Sequence, residues 1–188
     1  EALRIAAEVR GETALGEGRV SLAEIAVTHI RKRIQKTPGQ VVLIGVSPMT
    51  ERSAMSLKTK SSDEKNSLII VNRTLHKAHS LAEKFGAKAM GLEEFLQDPP
   101  DVEALLIATG SDKPLLTASI LERISSKVGS GQPPLLIDMG VPANIEKSAC
   151  ERLNLKRIGM DDIVNEATAN REARLMETAQ ARHLVDEA

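Results

Sequence analysis

Val41-Val42-Leu43-Ile44-Gly45-Val46-Ser47-Pro48-Met49-Thr50 is the stretch that decides the fold. Four consecutive apolar residues, mostly β-branched, predict a strand buried on both faces. The glycine that follows predicts a tight turn, and Pro48 suits the first turn of a helix. Dinucleotide-binding folds carry G-x-G-x-x-G at this junction. The first glycine makes the turn, the second lets the backbone approach a pyrophosphate, and the third packs helix against strand. Only Gly45 is present; Ser47 and Thr50 stand at the other two positions. An ordinary strand-turn-helix junction would read the same way. Ser47 can still offer an N–H or a hydroxyl at the positive end of the helix, whereas Pro48 supplies no N–H.

Outward from this junction, strands and helices alternate. Further strands are predicted at Ser67–Val71, near Ala87–Met90, at Ala104–Ala108 and at Leu135–Asp138. Helices are predicted from Pro48, over Leu75–Phe85, over Leu92–Leu96 and over Thr117–Ser126. Strands this apolar argue a parallel sheet covered on both faces. The fold class is therefore α/β, a Rossmann-like, doubly wound, mainly parallel sheet with flanking helices. Its crossovers should be right-handed and its ligands should lie outside the carboxyl ends of the strands.

Upstream, residues 1–10 read as the end of a helix and Gly11 to Gly18 as a glycine-punctuated loop. Ser21-Leu22-Ala23-Glu24 has the form of a capping box and opens a helix toward Lys36. Ser61–Asn66 and Gly129–Pro134 read as polar connections. Asp161-Asp162 can cap a long C-terminal helix. Its apolar residues (Ile163, Val164, Ala167, Leu175, Met176, Ala179, Val185) form an incomplete stripe that needs a partner surface. The expected division is linker helices over 1–37, a dinucleotide-binding domain over 38–160 and the start of a long helix over 161–188. The chain opens at Glu1 without Met, inside a helical pattern, and reads as a piece of a longer protein.

Composition narrows the function. The 188 residues carry a net charge of −1, so no overall pull toward nucleic acid or membrane is expected. Two Phe and no Trp or Tyr leave no platform for stacking bases. A single cysteine, Cys150, suits a reducing cytoplasm and reads as an inert packed thiol. No apolar run approaches the roughly 20 residues of a membrane span. His29, His76, His79 and His183 show no metal-ligand grouping.

The candidate chemistry sits at the strand ends. Asn72-Arg73-Thr74 follows the second strand, where an acidic residue would take a ribose 2′-hydroxyl and an arginine takes a 2′-phosphate. Arginine pairs bidentately with phosphate oxygens, and Thr74 and Lys77 add a hydroxyl and a charge. A solvated basic helix start is the alternative, although arginine there opposes the helix dipole. Ala108-Thr109-Gly110-Ser111 follows the fourth strand, and Gly110 would allow close approach of a ligand. Asp138-Met139-Gly140-Val141-Pro142 follows the fifth. Gly140 would open room beside a flat ring, while Asp138 is expected to bond neighbouring backbone.

Taken in order, these segments resemble the glutamyl-tRNA reductase family. Val9-Arg10-Gly11-Glu12-Thr13, Gly16, Gly18 and Val20-Ser21 look like that family's linker after its catalytic domain. Gly45 and Met49 match its G-x-G-x-M-G loop, from which Ser47 and Thr50 depart. Asn72-Arg73-Thr74 is similar to its NADP-selecting turn. Ala108-Thr109-Gly110-Ser111 and Ile137-Asp138-Met139-Gly140-Val141-Pro142 resemble its later loops, with Ala143 where an arginine is usual. Asp161-Asp162, Asn170 and Arg171 look like the start of its long spinal helix.

The resemblance implies an NADPH-binding domain, with Gly45, Ser47 and Met49 at the pyrophosphate. Asn72, Arg73, Thr74 and Lys77 would sit at the 2′-phosphate, and Thr109, Gly110, Met139 and Gly140 beside the nicotinamide. It implies that hydride from NADPH reduces a thioester formed when a cysteine of a separate N-terminal domain attacks glutamyl-tRNA. The product would be glutamate-1-semialdehyde for tetrapyrrole synthesis. No catalytic residue of that reaction falls within this chain, so the fragment alone is expected to be inactive. Glutamyl-tRNA would bind through the other domain, and the whole protein would be a cytoplasmic homodimer joined through a further C-terminal domain. Two alternatives stand beside it. One is a decayed domain that binds no cofactor and acts as a scaffold. The other is a shikimate dehydrogenase-type NADP domain, which shares the glycine loop and the Asn-Arg-Thr turn.

Overall fold

The computed structural model describes residues 21–60 and 67–186. The helix end expected at 1–10, the loop at 11–18 and the polar connection at 61–66 lie outside the described residues. Within them the chain alternates as anticipated. Helix α1 (Leu22–Lys36) precedes β1 (Val41–Ile44) and α2 (Pro48–Lys60). Then come β2 (Leu68–Asn72), α3 (Leu75–Phe85), β3 (Lys88–Gly91), α4 (Leu92–Gln97) and β4 (Ala104–Ile107). The chain continues with α5 (Ala118–Ser126), β5 (Leu135–Asp138), α6 (Lys147–Arg152), β6 (Arg157–Gly159) and α7 (Met160–Asp186).

The strands form one parallel sheet in the order β3-β2-β1-β4-β5-β6. The fold is Rossmann-like, and the order reverses between β1 and β4. Strand β6 was not expected from the sequence. It is short, and Ile158 is its one apolar side chain, so it leaves no run to read.

Because side chains alternate across a strand, β1 feeds two cores. Val41 and Leu43 face the layer that contains Ile25 and Ile30 of α1, Leu57 of α2, Phe85 of α3 and Ile163 of α7. Val42 and Ile44 face the layer that contains Phe95 of α4, Leu121 of α5 and Cys150 of α6. All four residues of β1, β4 and β5 are buried. Sheet faces covered on both sides explain why these strands read as unbroken apolar runs rather than alternating ones.

Helix α1 starts as its capping box predicts, with the Ser21 hydroxyl accepting from the Glu24 N–H at 3.2 Å. Its buried stripe of Ile25, Ala26, Ile30 and Ile34 belongs to the sheet core. Charged pairs fix it at three places. Arg31 Nη1 reaches Glu24 Oε1 at 2.7 Å while its Nη2 donates to the Ser56 carbonyl of α2 at 2.6 Å. Arg33 holds Glu103, the residue before β4, through Nε at 2.6 Å and Nη2 at 2.5 Å. His29 Nε2 lies 2.7 Å from Glu166 Oε2 of α7. Helix α7 opens as Asp162 Oδ2 accepts from the Gly159 N–H at 2.8 Å. Of its described apolar residues, Ile163 is buried, whereas Leu175 and Met176 are exposed. No described helix is long and apolar enough to cross a membrane.

Candidate functional site at the carboxyl ends of the strands

Register places the candidate loops in one row. Ile44 pairs with Val71 on one side and with Ile107 on the other, and Ile107 pairs with Asp138. The loops after β1, β2, β4 and β5 therefore leave the same edge of the sheet. The reversal of strand order between β1 and β4 puts a crevice beside Gly45, the usual place for a ligand in an open α/β sheet.

Gly45 has a φ of +104°, and a Cβ there would lie 2.5 Å from the Ala108 carbonyl oxygen and 3.1 Å from Thr109 Cγ2. Both the turn and the close approach of the β4 loop require glycine. Beyond it, the two residues that break the glycine motif bond each other. Thr50 Oγ1 accepts from the Ser47 N–H at 2.9 Å, and Ser47 Oγ accepts from the Thr50 N–H at 3.3 Å. Thr50 is fully buried, and its hydroxyl donates to the Ser47 carbonyl at 3.0 Å. This is a capping box in which threonine takes the part usually played by glutamate. It occupies first-turn amides that a pyrophosphate would otherwise contact. Pro48 has no N–H, and Met49's N–H lies outside this set of bonds. The Met49 side chain is half-buried against the core.

The turn after β2 is less committed. Asn72 Nδ2 donates to the Thr74 carbonyl at 3.0 Å and shapes the turn. Thr74 caps α3 by its backbone, and its hydroxyl makes no cap bond. The first turn of α3 has no acidic residue. Arg73 is exposed, and among the described residues it forms no ion pair. An open groove between Val46 of the glycine loop and α3 is lined by His76, Lys77, Ser80, Leu81 and Lys84. Lys77 lines this groove together with His76 and Lys84, whereas Arg73 and Thr74 are not among its lining residues.

The loops after β4 and β5 are tied together. Asp138 is fully buried and bonds backbone, as expected. Its carboxylate accepts from the N–H groups of Gly140 at 3.0 Å, Asn144 at 3.0 Å and Ile145 at 2.9 Å. Arg157 of β6 closes the set with Nη2 at 2.9 Å from Asp138 Oδ2. Asn144, also fully buried, receives the Thr109 N–H at 3.1 Å and the Thr109 hydroxyl at 2.9 Å on Oδ1. A Cβ on Gly140 would lie 2.5 Å from that same Oδ1, so Gly140 makes room for an amide of its own chain. Gly110 differs, since a Cβ there would meet nothing within 4 Å. Met139 is buried in the core, and its side chain does not line the edge. Asn144 was missed by the sequence reading; the one available signal was a polar residue set between Ala143 and Ile145. Burial pushes the Cys150 thiol up, consistent with an inert packed side chain.

Comparison with known proteins follows the same outline. The model of the shikimate/quinate 5-dehydrogenase family matches residues 26–166. The chain is 34% identical over 178 residues to the glutamyl-tRNA reductase of Idiomarina loihiensis, covering 92% of this chain and 41% of that protein. It thus spans well under half the length of the curated relatives it matches. Among solved structures, glutamyl-tRNA reductase from Methanopyrus kandleri superposes with a TM-score of 0.75 at 24% identity, covering 99% of this chain and 46% of that one. The nucleotide-binding domain of glutamyl-tRNA reductase from Thermoplasma volcanium gives 0.61 at 20% identity, covering 84% of this chain and 98% of that one. At these identities the two structures speak to the fold.

Proposed function

This chain belongs to the shikimate/quinate 5-dehydrogenase family, and on that premise we propose that it is the NADPH-binding unit of a glutamyl-tRNA reductase. The observation that carries the reading is the turn after β2. Arg73, which forms no ion pair among the described residues, a Thr74 hydroxyl without a cap bond, and Lys77 all lie at or just before the first turn of a helix whose start holds no acid. Such a helix start suits a phosphate, and its place at the end of β2 favours the 2′-phosphate of NADP over a pyrophosphate. The residues present fit the two ends of the dinucleotide. Arg73, Thr74 and Lys77 would hold the adenosine end, and the open space over Gly110 would admit the nicotinamide end.

When bound, NADPH supplies the hydride. The chain's own part is to bind and orient it. Gly45 brings the β1 and β4 loops close enough to make one continuous floor. On this proposal the reduction of glutamyl-tRNA is carried over from the relatives' names, and the product's role in tetrapyrrole synthesis from the family resemblance; both would need a second domain to hold the acyl group.

Calorimetric titration of the chain with NADPH and NADH tests the reading. Arg73→Ala is expected to weaken NADPH by about tenfold to a hundredfold, the worth of hydrogen bonds to a charged group, and to leave NADH nearly unchanged. Equal losses for the two cofactors would sink the 2′-phosphate assignment.

A second reading, a scaffold that takes up no dinucleotide, is favoured by the Ser47–Thr50 capping box. Ser47→Gly separates the two. It frees the Thr50 N–H at a stability cost of a few tenths of a kcal/mol, roughly what glycine costs at an N-cap. A cofactor domain should then bind NADPH more tightly than wild type. If neither protein binds it, the scaffold reading stands.

A further inference from the structure

We propose that Asn144 is a positioning residue of this site: its buried amide clamps the loop after β4 to the loop after β5 and so sets the space for the nicotinamide half of the cofactor. The inference rests on the cofactor reading above and adds a residue that itself touches no ligand.

Every polar atom of Asn144 goes to a loop. Its Oδ1 takes both the N–H and the hydroxyl of Thr109, 35 residues away in sequence. Its own N–H goes to the Asp138 carboxylate, and its carbonyl accepts from the N–H groups of Leu115 at 2.8 Å and Leu116 at 3.0 Å. Its Nδ2 sits at 3.4 Å from the Ser111 carbonyl and 3.5 Å from the Pro142 carbonyl. A fully buried amide bonded this way is held by strong local electrostatics and costs the loops their independence. Two residues of the site are explained by it. The Thr109 hydroxyl uses its one hydrogen on Asn144 and accepts from the Ser111 N–H at 3.2 Å, so it orients the loop and does not donate to a ligand. Gly140 lacks a side chain because Asn144 fills the volume. What remains open is the space over Gly110, the next residue after the clamped Thr109. Misplacing that loop by a fraction of an ångström would alter the fit of a ring bound there, while the turn after β2 would not move.

The test uses NADPH and adenosine 2′,5′-bisphosphate, which carries the 2′-phosphate end and no nicotinamide. In Asn144→Ala, NADPH should weaken by about tenfold, the value of one or two lost hydrogen bonds, and the bisphosphate by no more than about twofold. Amide hydrogen exchange should accelerate at 109–111 and 140–145 and not at 72–78. Gly140→Ala, whose Cβ would strike the Asn144 amide and also the Pro142 carbonyl, should shift NADPH in the same direction. Should Asn144→Ala melt before it can be titrated, Thr109→Val, which puts a methyl group in place of the hydroxyl and so removes its bonds to Asn144 and to the Ser111 N–H, decides in its place and should shift NADPH in the same direction. Equal losses for both ligands or unchanged NADPH binding would overturn the clamp. If wild type binds neither ligand, the cofactor reading falls separately, and exchange alone judges the clamp. Faster exchange at 109–111 keeps it, and unchanged exchange there ends it.

Discussion

Asp138→Ala should remove about 3–5 kcal/mol of stability, the range for breaking a buried ion pair. The loss has two sources. Arg157, whose side chain is largely buried, would keep its charge without a counter-ion. The N–H groups of Gly140, Asn144 and Ile145 would lose their acceptor inside the fold. Against a total stability of roughly 5–15 kcal/mol, such a change removes a large share and would leave a domain at the lower end of that range marginal or unfolded. Urea denaturation followed by circular dichroism reads the shift in midpoint. Asp138→Asn should fall between wild type and alanine, since one oxygen can still accept while the charge is lost. A midpoint for Asp138→Ala within error of wild type would mean that the carboxylate does not organise the β5 loop.

Arg33→Ala is expected to cost a comparable amount, about 3–5 kcal/mol, at the opposite edge of the sheet. Glu103 is 3% exposed and depends on Arg33 for its pairing, so truncation would strand a carboxylate in the core. A Cβ on Gly39 would stand only 2.9 Å from Glu103 Cβ, which shows how little room is left there for water to enter and compensate. The pair's own net value is a different quantity. Arg33→Met with Glu103→Leu should recover most of the loss, because two apolar side chains of similar size need no mutual neutralisation. A double variant as unstable as Arg33→Ala would show that α1 is held to the sheet by the charge pair itself rather than by the apolar stripe of Ile25, Ile30 and Ile34.

The sheet was readable where burial is uniform. Strands β1, β4 and β5 are covered on both faces, so their sequences are apolar runs that no helix of that length would need. Strand β6 was hidden because its outer members are Arg157, committed to Asp138, and Gly159. At the site, the turn at Asn72–Thr74 was readable as a helix start because local rules govern one. Asn144 was not, because its role depends on Thr109, which only the crossover from β4 to β5 brings near. Gly140 was noticed for the right atom count and the wrong neighbour: the volume it frees is filled by Asn144. Ser47 and Thr50 were read as missing glycines. The same spacing had marked Ser21 as a helix start, and applied at Ser47 it would have revealed the reciprocal bonds.

Under the proposed cofactor reading, those reciprocal bonds would make the β1 loop a self-inhibited anion receptor. The Ser47 hydroxyl is a tethered competitor for the Thr50 amide, present at an effective concentration that no free phosphate in solution matches. A ligand that needs that amide must displace it, and the observed affinity falls by the closing constant of the box. On the proposed reading, recognition would shift outward from the middle of the dinucleotide to its ends, at Arg73 and the Gly110 loop. In a chain built this way NADPH and NADH should both bind more weakly, by the same factor, because the pyrophosphate is common to both; the ratio between them is then set at the 2′-phosphate end alone.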